Sequence, residues 1–279
     1  MKDIKLLALD MDGTVYYNMG HVIKENIEPI QSAIEQGVEV VFVTGRPVHS
    51  RPNQIIENGF AKKDGTVIVG YNGGAIYDVF KKTILKKHTI KADLAQKAFE
   101  LAEKPEFKGS IVWGYVDDLQ TTITNVIDPA NTQNKIQAYL NEMNFFDGEY
   151  VEWKDVQANF NFEFFKMLAF DARPGFLEAL ADLGFEVAID HGNNSEVNAP
   201  GINKAHALKW LSQELNIDPK NIMAVGDGYN DISMIKFVGY GVSMENSVDD
   251  LKKIADLHMP LTNEQGAVSE IIRQYILKK

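Results

Sequence analysis

Four short polar clusters interrupt otherwise apolar stretches of this chain, and each carries groups suited to handling phosphate. The first, Asp10-Met11-Asp12-Gly13-Thr14, places two carboxylates just beyond an apolar run at 4–9. Carboxylates beside a buried strand are costly unless paired, hydrogen-bonded or metal-bound, although a capped turn uses the same residues. The second, Thr44-Gly45-Arg46-Pro47, brings a hydroxyl and backbone N–H groups to a helix start. A phosphate oxygen settles well there, and so does a plain N-cap. The third, Gly201-Ile202-Asn203-Lys204, opens a helix with a lysine, against the preference of the helix dipole. A buried anion would account for that placement, and so would a solvated side chain at a small cost. The fourth, Gly226-Asp227-Gly228-Tyr229-Asn230-Asp231, offers hard oxygen ligands of the kind magnesium takes. A dinucleotide fingerprint is its rival, but Asp231 occupies the third glycine position and would repel a pyrophosphate. No GxxxxGK[ST] loop occurs, which argues against ATP use of the P-loop kind.

Positioning these clusters requires strands, and the apolar runs supply them. Residues 4–9 read as a buried strand, 24–36 as a helix stopped by Gly37, and 38–43 as a second strand. Pro47 suits the first turn of a helix reaching about residue 58, and 66–69 forms a third strand. Strand–helix alternation of this kind implies right-handed crossovers and a parallel sheet. Beyond residue 80 the style changes. Short strands at 111–114 and 120–125 read as antiparallel, followed by helices near 131–143 and 174–183 and strands near 162–170 and 185–189. The buried-strand style returns with a helix from 203 to 215, a strand at 222–225, a helix from about 230 and a strand at 239–242. The expected fold is therefore α/β: a Rossmann-like doubly wound parallel sheet from residues 1–83 and 194–279, with an inserted α+β domain at 84–193. In such sheets ligands bind beyond the carboxyl ends of the strands, and the four clusters lie at or near such ends.

Composition narrows the partners. A net charge of −11 and a pI near 5.1 argue against a nucleic-acid or acidic-membrane footprint. The absence of cysteine excludes thiolate catalysis, disulfides and zinc–thiolate sites, and fits a cytoplasmic protein. The apolar run at the N-terminus is too short for a signal-peptide core or a membrane span. The histidines, including His21, His49 and His206, show no ligand spacing and read as surface or capping residues. The aromatic stretch 160–170 reads as a packed strand rather than a base-stacking platform.

Taken together and in this order, the four clusters resemble the four motifs of the haloacid dehalogenase-like superfamily. Tyr71-Asn72-Gly73-Gly74-Ala75, the large insertion between the second and third motifs, and the stretch 196–204 resemble its Cof-like branch. The resemblance implies a magnesium-dependent phosphatase acting on small phosphomonoesters such as sugar phosphates. In it Asp10 attacks phosphorus to form an aspartyl-phosphate, and Asp12 acts as acid and base while its backbone carbonyl ligates the metal. Asp10 and Asp227 supply carboxylate ligands, and Asp231 binds through water or orients Lys204. Thr44, the N–H groups of Gly45 and Met11, Lys204 and Asn230 hold the phosphoryl oxygens, and Asn72-Gly73, first a turn signal, could also line the crevice. The inserted domain would act as a lid hinged to the core, on a monomer or small homo-oligomer.

Two rivals share these residues. A phosphomutase is one, since a related cap occurs on phosphomannomutase-like members. A signalling receiver also uses acidic residues, a threonine and a lysine, but needs its phosphoacceptor on the middle strand, and the strand at 66–69 carries no aspartate at its end.

Overall fold

Strands buried on both faces read as continuous apolar runs, and Leu6–Leu9 is one, with every residue buried. The computed structural model describes residues 3–17, 20–48, 52–61, 65–126, 137–146, 148–189 and 193–277. They fall into two compact units, Met1–Lys86 with Asn203–Lys279, and Lys87–Ile202. In chain order the strands are β1 (Leu6–Leu9), the hairpin strands β2 (Tyr16–Tyr17) and β3 (His21–Val22), β4 (Glu39–Val43), β5 (Val67–Gly70), β6 (Ala75–Asp78) and β7 (Thr83–Lys87). The second unit contributes β8 (Ile111–Val116), β9 (Thr121–Thr124), β10 (Glu149–Glu152), β11 (Phe164–Phe170), β12 (Glu186–Ile189) and β13 (Ser195–Asn198). The chain then adds β14 (Ile222–Val225), β15 (Tyr240–Met244) and β16 (Leu257–Met259) to the first unit.

The main sheet runs β16-β15-β14-β1-β4-β5-β6-β7. It is parallel from β16 to β5, with Leu9 opposite both Phe42 and Val225, so the ends of β1, β4 and β14 finish level. That register gathers the loops carrying the first, second and fourth clusters at one edge. Strand β6 turns back antiparallel on β5, an extension the strand–helix alternation did not foretell. Burial explains the preference for apolar runs: at about 25 cal/mol per Å² each fully buried Leu or Val contributes about 1.5–3 kcal/mol.

Helix starts depart from expectation in two places. Lys24–Asn26 forms a 3₁₀ turn and the α-helix runs Ile27–Glu35. Pro47 does not open a helix; Pro52 does, at Pro52–Glu57. The Arg46 carbonyl accepts from the Tyr71 N–H at 3.0 Å, which ties this loop to the end of β5 instead of winding it. His49 lies outside the described residues, as do 131–136 of the expected helix at 131–143, whose described part is Gln137–Phe145.

The second unit holds a sheet ordered β10-β9-β8-β11-β13-β12. Its central strand β11 is buried throughout, so 164–170 is packed core, with Phe160 and Phe162 partly buried against it. A helix at Ala92–Glu103, which the sequence reading passed over, backs it, with Phe99 stacked on Trp153 at 4.7 Å. The expected boundary at 193/194 needs correction to 202/203. Ser195–Asn198 pairs antiparallel with both β11 and β12, so these residues complete the second sheet before the chain returns. Among the described residues no helix is long and apolar enough to cross a membrane.

Candidate active site

Lys204 is the hub of the site. It is the first residue of the helix Lys204–Glu214, whose N-cap Asn203 accepts from the His206 N–H at 3.1 Å. Its ammonium group is fully buried and donates to Asp10 Oδ1 and Asp231 Oδ1, each at 2.6 Å. A lysine at a helix start, against the dipole, is therefore explained by two carboxylates from the ends of β1 and β14. Burial by itself would favour the neutral amine, but Asp10 and Asp231 outweigh it and hold Lys204 far above its ordinary range.

Asp231 also accepts through Oδ2 from the N–H groups of Asp227 and Gly228, each at 2.9 Å. With both oxygens engaged, it orients Lys204 and clamps its own loop. Gly226 is required beneath it, because a Cβ there would stand 2.5 Å from the Asp231 carboxyl carbon. Asp227 accepts from the Thr14 hydroxyl at 3.1 Å, and a Cβ on Gly13, at φ +74°, would lie 2.8 Å from its carboxyl carbon. Glycine at position 13 thus answers both the left-handed backbone and the close approach of a carboxylate.

Oxygens of Asp10, Asp227 and Asp231 lie within 4.8 Å of one another. Three acidic side chains within that reach, offering oxygen ligands alone, suit a small hard cation that keeps several waters, which fits magnesium. Without one the cluster is over-charged. Burial and the neighbouring Asp231 raise Asp10 well above the carboxylate range, against the pull of Lys204. Burial first, and then Asp231, push Asp227 up from its ordinary 3.8 to about 7. The folded protein therefore keeps a proton on Asp227 that the unfolded chain has already lost. Stability from this group is highest below the unfolded value and falls as pH rises through the folded one, so Tm in EDTA should decline from about pH 5 to pH 8. Asp227→Asn should flatten that decline. Equal slopes for variant and wild type in thermal scans would contradict this account.

The other expected residues are placed as follows. Thr44 is buried, and its hydroxyl accepts from the Arg46 N–H at 3.1 Å. Gly45 follows it in the same loop, between the end of β4 and Arg46. The Met11 side chain is buried and its carbonyl accepts from Tyr16 N–H at 2.8 Å. Asn230 donates to Asn72 Oδ1 at 3.2 Å. Asn72 is buried at φ +56°, beside Tyr71 at φ +52°, and its N–H donates to the Thr44 carbonyl at 3.0 Å. Two successive non-glycine residues in the left-handed region cost energy that the surrounding bonds must offset, and such strain concentrates at functional sites. Asp12 stands apart from the carboxylate cluster, since its side chain pairs with Arg46. Sequence reasoning assigned no role to Thr14, Arg46 or Asn246, whose side chain donates to the Gly13 carbonyl at 2.8 Å. Thr14 and Arg46 lay inside quoted motifs, whereas nothing near Asn246 pointed to the site.

This arrangement sets a buried ammonium group and several hydrogen-bond donors around buried carboxylates. The model of the haloacid dehalogenase-like hydrolase family matches residues 7–272. The chain is 31% identical over 277 residues to the 5-amino-6-(5-phospho-D-ribitylamino)uracil phosphatase YcsE of Bacillus subtilis (strain 168), covering 99% of this chain and 97% of that one. A haloacid dehalogenase-like hydrolase from Bacteroides thetaiotaomicron superposes with a TM-score of 0.75 at 26% identity, covering 98% of this chain and 99% of that one. The sugar phosphatase BT4131, of subclass IIB, shares the fold with a TM-score of 0.79 at 19% identity, covering 97% and 98%. Motif order, fold and relatives agree, and the chain belongs to the haloacid dehalogenase-like hydrolases, among their Cof-like phosphatases.

Proposed function

We propose that this phosphatase hydrolyses small phosphomonoesters of sugars or sugar-like polyols with magnesium, through an aspartyl-phosphate on Asp10. The observation that carries the reading is the buried Asp10–Lys204–Asp231 bridge, a charge network far costlier than a structural role would require. Bound at Asp10 and Asp227, with the Asp12 carbonyl, magnesium would offset the repulsion between carboxylate and substrate dianion. Asp10 attacks phosphorus in line, and Lys204, Asn230 and the hydroxyl and N–H groups of the Thr44–Gly45 loop and Met11 hold the phosphoryl oxygens. Asp12 gives a proton to the leaving oxygen, then takes one from the water that cleaves the aspartyl-phosphate. We assign recognition of the leaving group to the second unit, acting as a cap. The substrate class is favoured by YcsE, whose named substrate carries its phosphate on a ribityl chain.

Turnover should require added magnesium and vanish in EDTA, and magnesium alone should raise Tm, because a cation that binds only the folded state stabilises it. A panel of phosphorylated metabolites would rank substrates in the same assay. Full turnover in excess EDTA after dialysis, with Tm indifferent to magnesium, would sink the metal-dependent reading.

A further inference from the structure

Both the backbone and the side chain of Arg46 are held in place. Its N–H donates to Thr44 Oγ1 at 3.1 Å, and its carbonyl accepts from the Tyr71 N–H at 3.0 Å. The loop after β4 is thereby fixed to the end of β5. From that base the guanidinium reaches across to the loop after β1, where Nε donates to Asp12 Oδ2 and Nη2 donates to Asp12 Oδ1 at 2.5 Å. The Arg46 side chain is 15% exposed and that of Asp12 42%.

Exposed ion pairs between two flexible side chains contribute little. This one is different in kind: a planar fork meets both oxygens of one carboxylate, and the fork is largely buried. Asp12 needs such support. It precedes Gly13, which gives the loop no side chain to pack, and Lys204 spends its hydrogen bonds on Asp10 and Asp231. We infer that Arg46 is a positioning residue for Asp12, holding its carboxyl in the one orientation from which it exchanges protons with the leaving oxygen and the attacking water. The inference rests on the acid–base role proposed above for Asp12. The grip is compatible with both halves of the reaction. When Asp12 carries its proton, one oxygen donates it to the leaving group while the other still accepts from the guanidinium. When the proton has left, both oxygens accept again. A lysine could supply the charge at this place but not the second prong.

A direct contact from Arg46 to the transferring phosphoryl group is the competing role, and leaving-group dependence separates the two. Help to Asp12 matters when the leaving oxygen needs a proton, as in an alkyl phosphate, and matters little for an aryl phosphate. A phosphoryl contact serves both substrates alike. The experiment measures phosphoenzyme formation from both substrates in saturating magnesium, for wild type, Arg46→Ala, Arg46→Lys, Asp12→Asn and the Asp12→Asn/Arg46→Ala pair. Arg46→Ala should slow the alkyl phosphate about thirtyfold or more and the aryl phosphate by about threefold or less, since a misplaced proton donor forfeits much of a general acid's typical contribution. Arg46→Lys should recover only part of the alkyl rate, and millimolar methylguanidinium should recover part of it in Arg46→Ala. In the Asp12→Asn background, Arg46→Ala should change the aryl rate by less than about twofold, because the residue it acts through is already gone.

Equal losses on both substrates that persist in the Asp12→Asn background would overturn the inference in favour of a phosphoryl contact. Arg46→Ala at wild-type rates would overturn it outright. Should Arg46→Ala fail to fold, as judged by circular dichroism, the alkyl-to-aryl ratio of Arg46→Lys decides the matter, and an unchanged ratio rejects the inference. If Asp12→Asn itself turns over the alkyl phosphate within a few-fold of wild type, the assigned role of Asp12 falls first, and that result is distinct from the others.

Discussion

Asp10→Asn should turn over phosphomonoesters at near-background rates, while Asp12→Asn should trap phosphate covalently on Asp10. The two substitutions separate a covalent route from attack by a metal-bound water, which could use the same acidic pocket without a phosphoenzyme. Asn at position 10 keeps the shape of a residue that is 5% exposed but removes the nucleophile and one anionic ligand. Asn at position 12 leaves Asp10 and its bond to Lys204 intact and removes the proton relay, together with the carboxylate that Arg46 grips. With an aryl phosphate, formation should then suffer less than hydrolysis, so intermediate accumulates. Acid quenching followed by mass spectrometry should place one added phosphate on Asp10. Substantial turnover by Asp10→Asn, or phosphate mapped to another residue, would overturn the assignment.

Lys204→Ala should lose at least about a hundredfold in kcat, the usual magnitude for one preorganised electrostatic contact in a closed site. Its Nζ is the donor shared by Asp10 and Asp231, so truncation leaves two buried carboxylates facing each other without their cation. Breaking such a pair by removing one partner typically costs about 3–5 kcal/mol. The variant should therefore also melt well below wild type at pH 8 and recover part of the deficit near pH 5, where protons can replace the missing charge. Steady-state kinetics and thermal scans at both pH values check the two effects separately. A rate within a few-fold of wild type would make Lys204 a structural residue only.

These expectations draw on different layers of information. Much that depends on local order along the chain was legible in the sequence, although the helix Ala92–Glu103 was not read from it and the helix expected from Pro47 begins at Pro52. The apolar runs that became β1, β4 and β14 had to be buried strands, and the acidic and hydroxyl residues that follow them had to stand at their ends. The placement of Lys204 at a helix start was likewise visible, and it left a buried anion and a solvated side chain as alternatives that the contacts with Asp10 and Asp231 decide between. Contacts made across the fold were not legible, because periodicity describes one segment at a time and says nothing of which loop meets which. The level register of β1 with β4 and β14 brings Arg46 to Asp12 and Thr14 to Asp227. The same long-range pairing claims Ser195–Asn198 for the second sheet, and hydrogen bonds from Tyr71 and Asn72 to the loop after β4 hold both residues in a backbone conformation their side chains disfavour. Residue types and spacing determined which groups could do the chemistry; only tertiary packing, by fixing distances of a few ångströms between segments far apart in the chain, decided which of them act on one another.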